Sequence, residues 1–157
     1  MILISSCLIG EKVRYDGRDQ LDERLRQMVE TGKAIAACPE LMGGLTVPRE
    51  PAEIVGGTGE DVWQGDAHVL TISGRDVTAA FKKGAHSTLS LCRELNISLV
   101  ILKENSPSCG SRMIYSGDFN GSRQTGMGVT TALLERHGIK VINEKDPLLT
   151  EGHGLNQ

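Results

Sequence analysis

Short apolar runs alternate along the chain with stretches in which apolar residues recur every three or four positions. Ile2-Leu-Ile-Ser-Ser6 predicts a buried strand at the start. Cys7-Leu-Ile-Gly10 and Tyr15-Asp-Gly17 have turn character. Leu21, Leu25, Met28 and Val29 then follow helical spacing, Glu and Arg fill the other face, and Gly32 supplies a stop. Ala34-Ile-Ala-Ala-Cys38 predicts a second strand, ended by Pro39. Gly43-Gly44, Pro48, Pro51 and Gly56-Gly57-Thr-Gly59 break every periodicity between 39 and 67, which predicts a long functional loop there. His68-Val-Leu-Thr-Ile72 predicts a strand at a sheet edge. Asp76 caps a helix with Val77, Phe81, Ala85, Leu89, Cys92 and Leu95 on one face. Leu99-Val-Ile-Leu102 is the clearest buried strand, closed abruptly by Asn105-Ser-Pro-Ser-Cys-Gly110. A helix from Val129 to about His137 and a strand over Ile139-Lys-Val-Ile142 complete the pattern.

Strands and helices alternating at these lengths predict an α/β fold: a Rossmann-like open, mostly parallel sheet with helices on both faces. A chain of 157 residues is long enough for one such domain, expected over residues 1–145, with a frayed tail over 146–157. No repeat interrupts this pattern.

Charge and composition narrow the function. No apolar window reaches the length of a membrane span, so no membrane partner is expected. The N-terminus has neither the basic leader nor the apolar core of a signal peptide, which predicts a cytoplasmic, reducing location. A net charge of −3 argues against a nucleic-acid partner bound through phosphate neutralisation. There, four cysteines are better suited to ligation, catalysis or the core than to disulfides. The chain is also rich in glycine, with 19, and poor in rings, with five, so its turns are tight and its core is not built on aromatics.

Cys92 falls on the apolar stripe of its helix and fits a core residue. The other three cysteines sit at strand ends: Cys7 after the first strand, Cys38 closing the second, Cys109 a few residues beyond the 99–102 strand. In an open parallel sheet the carboxyl ends share one edge and ligands bind beyond them, so these three are expected to converge. They lack the paired local spacing of a structural zinc site. A zinc ion on three thiolates with an open fourth position, or an Fe–S cluster, both suit the donors. Glu40, in Cys38-Pro-Glu40, is a candidate general base. Ser106 and Ser108 bracket Pro107 just before Cys109, Arg14 and Asp16 follow Cys7, and Arg49 lies in the long loop. The arginines are suited to offsetting cluster or substrate charge, while Asp16-Gly17 also suits a plain turn. Gly126-x-Gly128 at a helix start is a weak anion-site candidate. Gly10, Gly17, Gly43, Gly44 and Gly110 lie beside the three cysteines, as expected of backbone kept bare around an inorganic centre. Tyr15 is the ring expected to stack on a planar ligand.

Four blocks in this order carry a family resemblance. They are Ser5-x-Cys7-Leu8-x-Gly10 with Arg14-Tyr15-Asp16-Gly17; Cys38-Pro39-Glu40 with Gly43-Gly44-Leu45 and Pro48-Arg49; Glu104-x-Ser106-Pro107-Ser108-Cys109-Gly110; and Gly126-x-Gly128-Val129. Together they resemble the thiouracil desulfidase family over about residues 1–145. The resemblance implies a [4Fe–4S] cluster held by Cys7, Cys38 and Cys109, with one iron lacking a protein ligand, and hence a dependence on the Fe–S assembly machinery. It implies non-redox removal of sulfur from a thiolated pyrimidine, base or nucleotide, with the sulfur on the free iron. Glu40 would activate water for attack on the thiocarbonyl carbon, and Ser106 or Ser108 would assist by hydrogen bonding. The resemblance does not fix the substrate contacts; Arg14, Tyr15, Asp16, Arg49 and Ser108 are the candidates. Other readings of the same residues are a non-catalytic Fe–S or thionucleoside binding and sensing module, a zinc hydrolase with a three-cysteine site, and sulfur transfer involving tRNA, which the acidic balance disfavours.

Overall fold

The structure, a computed structural model, describes residues 1–12, 14–18 and 20–151. In chain order its elements are β1 (Ile2–Ser5), a 3-10 turn (Ser6–Ile9), α1 (Glu23–Glu30), β2 (Ala34–Ala37), α2 (Pro39–Met42), β3 (Ala52–Val55), α3 (Gly59–Gln64), β4 (His68–Thr71), α4 (Thr78–Glu94), β5 (Leu99–Leu102), β6 (Met113–Tyr115), β7 (Arg123–Thr125), α5 (Val129–Arg136), β8 (Lys140–Asn143) and α6 (Pro147–Glu151).

The apolar runs assemble as expected. Four parallel strands lie in the order β2-β1-β5-β8, with Leu3 beside Ile35 and Val100, and Val100 beside Val141. Alternate residues go to opposite faces, as the pleat requires. Leu3, Val100, Leu102 and Val141 pack under Phe81, Ala85, Leu89 and Cys92 of α4 and Leu133 and Leu134 of α5. Ile4, Ile101 and Ile142 pack on the other side against Leu8, Leu25 of α1 and Leu149 of α6. Helices therefore cover both faces of an open parallel sheet, and its carboxyl edge is left for ligands.

Three expectations change. The segment 39–67 is not one long loop. Pro39 starts α2 at the position where a missing N–H costs nothing. The N–H of Thr58 donates to Asp61 Oδ2 at 2.8 Å to open α3, which Gly65 ends in the left-handed region at φ 88°. These elements are four to six residues long, too short to leave a period in the sequence. The strand at 68–72 does not join the edge of the parallel sheet. Over His68–Thr71 it pairs antiparallel with β3 in a sheet of its own, and a second hairpin, β6–β7, follows between β5 and α5. The tail expected to fray from 146 begins with α6, anchored by Leu149; residues 152–157 lie outside the described residues.

One packing contact positions the site. A Cβ on Gly43 would lie 2.1 Å from the carbonyl oxygen of Ala80, and one on Gly84 would lie 2.0 Å from that of Pro39. The backbones of α2 and α4 touch there. Gly43 was expected to keep space for an inorganic centre; here it docks α2, and with it Cys38 and Glu40, onto α4.

Candidate metal centre and active site

Three strand ends deliver three sulfurs to one place. Cys7 enters the 3-10 turn directly after β1, Cys38 is the residue between β2 and α2, and Cys109 closes the turn that follows β5. All three line one cavity of about 650 Å³ beyond the carboxyl edge of the sheet. Cys7 and Cys109 are each 5% exposed. Cys92 is elsewhere, on the buried face of α4, where burial pushes its thiol up to about 11.

Electrostatics tie the three together. Burial pushes the Cys7 thiol up, the Ser5 hydroxyl 3.6 Å from its sulfur opposes this, and Cys38 raises it further. The Cys38 thiol is pushed up by burial, against the backbone N–H of Leu41 at the start of α2; Glu40 raises it and Arg49 lowers it. The Cys109 thiol is pushed well above the ordinary range, through burial first, then Glu40 and Cys38, with the Ser108 hydroxyl opposing. The thiols thus repel one another as anions but carry donors aimed at sulfur, the environment of a thiolate held by a positive centre. No three His, Cys, Asp or Glu among the described residues are grouped so as to hold a metal ion. The donor set, soft and spread around a space, fits a polynuclear cluster better than one ion.

Glu40 lines the same cavity as the three cysteines, its side chain 15% exposed. The Arg49 guanidinium donates to its Oε2 and to the carbonyl of Thr46 at 2.9 Å. Ser106 Oγ donates to its Oε1 at 3.2 Å. The same Ser106 oxygen accepts the N–H groups of Ser108 at 3.1 Å and Cys109 at 3.2 Å, so one hydroxyl shapes the cysteine turn and holds the carboxylate. Arg49, expected at the substrate, lines the cavity but spends its guanidinium on Glu40.

Arg14 and Tyr15 line the cavity, the guanidinium 5.8 Å from the Tyr15 ring. The Tyr15 carbonyl accepts the Arg49 N–H at 2.7 Å, which stitches this turn to the segment below it. Asp16 and Ser108 are not on the cavity wall. Asp16 Oδ1 accepts the Arg18 N–H at 2.9 Å and shapes the turn. Ser108 is 1% exposed, with its hydroxyl 2.7 Å from that of Thr130 and beside the Cys109 sulfur. The anion-site reading of Gly126-x-Gly128 also gives way. The N–H groups of Gly128, Val129 and Thr130 are taken by the carbonyls of Gly110, Pro107 and Ser108, so the start of α5 grips the cysteine turn instead.

The cavity also holds residues that sequence reasoning passed over. Lys103, paired with Glu144 at 2.8 Å, lies close enough to lower the Cys7 thiol. Glu53 lies in the segment expected to be a functional loop but was not singled out within it, and Phe119 comes from a segment not expected to contribute. Tyr15, Phe81, Tyr115 and Phe119 all line the cavity, four of the five rings in the chain.

Comparisons with known proteins bear on this geometry. The family model described as 2-thiouracil desulfurase matches residues 2–146. A Bacillus subtilis (strain 168) protein, the uncharacterized YbbK, is 56% identical over 146 residues, 93% of this chain and 97% of that protein. A solved structure titled as the [4Fe-4S]-dependent thiouracil desulfidase TudS is similar with a TM-score of 0.82 and 47% identity, covering 96% of this chain and 93% of that one.

Proposed function

The chain belongs to the 2-thiouracil desulfurase family, and from that premise we propose that it is an iron–sulfur enzyme that replaces the sulfur of a thiolated pyrimidine by the oxygen of water. The observation that carries this reading is the meeting of Cys7, Cys38 and Cys109 with Glu40 in one cavity. Three thiolates suit a [4Fe–4S] cluster with one iron lacking a protein ligand, and such an iron supplies a Lewis acid for the departing sulfur.

The reaction balances without electrons: thiocarbonyl plus water gives carbonyl plus hydrogen sulfide. Water adds to the thiocarbonyl carbon, the carbon–sulfur bond breaks, and two protons end on sulfide. Glu40 takes a proton from water as it attacks. Its two oxygens are held by Arg49 and Ser106, so the carboxylate cannot swing away from the cavity. Arg49 and Ser106 thereby act as positioning residues, with Ser106 also fixing the Cys109 turn. Arg14 and Tyr15 offer charge and a ring to the substrate.

Anaerobic reconstitution followed by iron, sulfide and turnover assays tests the reading. About four irons and four sulfides per chain and conversion of thiouracil to uracil are expected. Zinc as the bound metal, or thiouracil binding without turnover, would instead support a zinc hydrolase or a sensing module.

A further inference from the structure

The wall of the cavity supplied by the β3–β4 and β6–β7 hairpins contains a charged group that the reaction above does not use. Glu53, on β3, is 8% exposed and lines the cavity. Its Oε1 accepts the N–H of Gly117 at 2.9 Å and that of Phe119 at 3.3 Å. Among the described residues its Oε2 has no partner. The buried side-chain polar atom that lacks one is Asn105 Oδ1, so Glu53 Oε2 is an atom that solvent reaches, and the opening beside it is the cavity.

Phe119 is held with equal care. Its backbone sits at φ 55°, a left-handed conformation that glycine or asparagine adopts readily and a bulky side chain does not. Gly117, also left-handed, presses onto β3, where a Cβ would lie 2.6 Å from the carbonyl oxygen of Ile54. The loop is knitted by Ser116 and Ser122, whose hydroxyls are 2.5 Å apart, and it presents the Phe119 ring to the cavity. Strain of this kind persists where the surroundings support it, and here Glu53 accepts the Phe119 N–H.

We propose that Glu53 and Phe119 form the substrate's ring-binding subsite, Glu53 Oε2 accepting a ring N–H of the pyrimidine while Phe119 packs on the ring. This rests on the thiouracil reading above and extends it to recognition. Thiouracil and uracil both carry N–H groups beside a carbonyl or thiocarbonyl carbon, and an ionised carboxylate oxygen is a strong acceptor for one of them. A pyrimidine methylated at that nitrogen would lose the bond and meet the wall.

Glu53→Gln separates the two oxygens. An amide oxygen still accepts from Gly117 and Phe119, so the loop is kept, while the other position becomes an NH2 that repels a ring N–H. In the reconstituted holoprotein, uracil affinity by calorimetry is expected to fall at least tenfold and thiouracil KM to rise by a similar factor. Iron content and the visible spectrum should match those of wild type. Phe119→Leu is expected to raise Kd and KM together in the same way. Wild type should prefer uracil over one of its two N-methyl isomers, and Glu53→Gln should lose that preference. Unchanged uracil affinity and KM in Glu53→Gln, with wild type binding and turning over normally, would overturn the subsite. A lost cluster spectrum in both variants would likewise overturn it, by giving these residues a purely architectural role. Wild-type holoprotein that neither binds uracil nor converts thiouracil would instead remove the functional reading on which the subsite stands.

Discussion

At the scale of the residue, side chains proposed to hold a centre are distinct from those proposed to do chemistry on a substrate. Single replacements Cys7→Ala, Cys38→Ala and Cys109→Ala should each remove most of the iron after anaerobic reconstitution, whereas Cys92→Ala should leave it unchanged. Glu40→Gln should keep the iron and visible spectrum while kcat falls by about 10²- to 10⁴-fold, the usual contribution of a positioned base. That pair of measurements distinguishes a base from a ligand. The placement of the cysteines was legible in the sequence because it needed only the strand ends: a parallel sheet gathers whatever follows β1, β2 and β5. The direction of neighbouring side chains was not legible. Ser106 and Ser108 flank the same proline, yet one faces Glu40 and the other is buried against Thr130. Asp16 and Arg14 share a turn, yet only Arg14 reaches the cavity. Which way a side chain leaves a turn depends on what packs behind it, and that comes from distant segments.

Among elements, the site depends on contacts that contain no functional group. Gly84 is remote from every motif, but its lack of a side chain lets α4 touch α2 beneath Cys38 and Glu40. Gly84→Ala should destabilise the protein by about 1–3 kcal/mol, measured by urea unfolding, and lower iron retention as α2 is displaced. Helix α1 offers a control away from the cavity. Asp22 caps it by accepting the Arg24 N–H at 3.0 Å, and the Arg24 side chain holds its carboxyl below the usual aspartate range. Asp22→Ala should cost about 1 kcal/mol and leave the iron content unchanged. Because the folded-state value is depressed, the wild-type advantage is fully present above about pH 4 and fades as pH falls through that lower value. The long helix α4 was visible from its period, and β5 from its unbroken apolar run. The missed ones, α2, β3, α3 and the β6–β7 hairpin, are three to six residues long and stand on caps and pairings with remote partners. The hairpins were the most consequential omission, since they carry Glu53 and Phe119.

For the whole molecule, the fold is a sheet sealed on both faces with one working edge. A chain with few rings places four of them around one cavity, an arrangement that suits the planar heterocycle proposed as substrate. Three separate strand ends converge on the proposed cluster, so its removal should loosen the molecule as well as inactivate it. The reconstituted protein should melt several degrees above the iron-free protein in anaerobic thermal denaturation. The central claim, that water replaces sulfur with no net redox change, is tested most directly by turnover in ¹⁸O-labelled water without added oxidant or reductant. Uracil carrying one ¹⁸O, and one sulfide released for each thiouracil consumed, are expected. Unlabelled uracil, or turnover that requires an electron donor or acceptor, would contradict it.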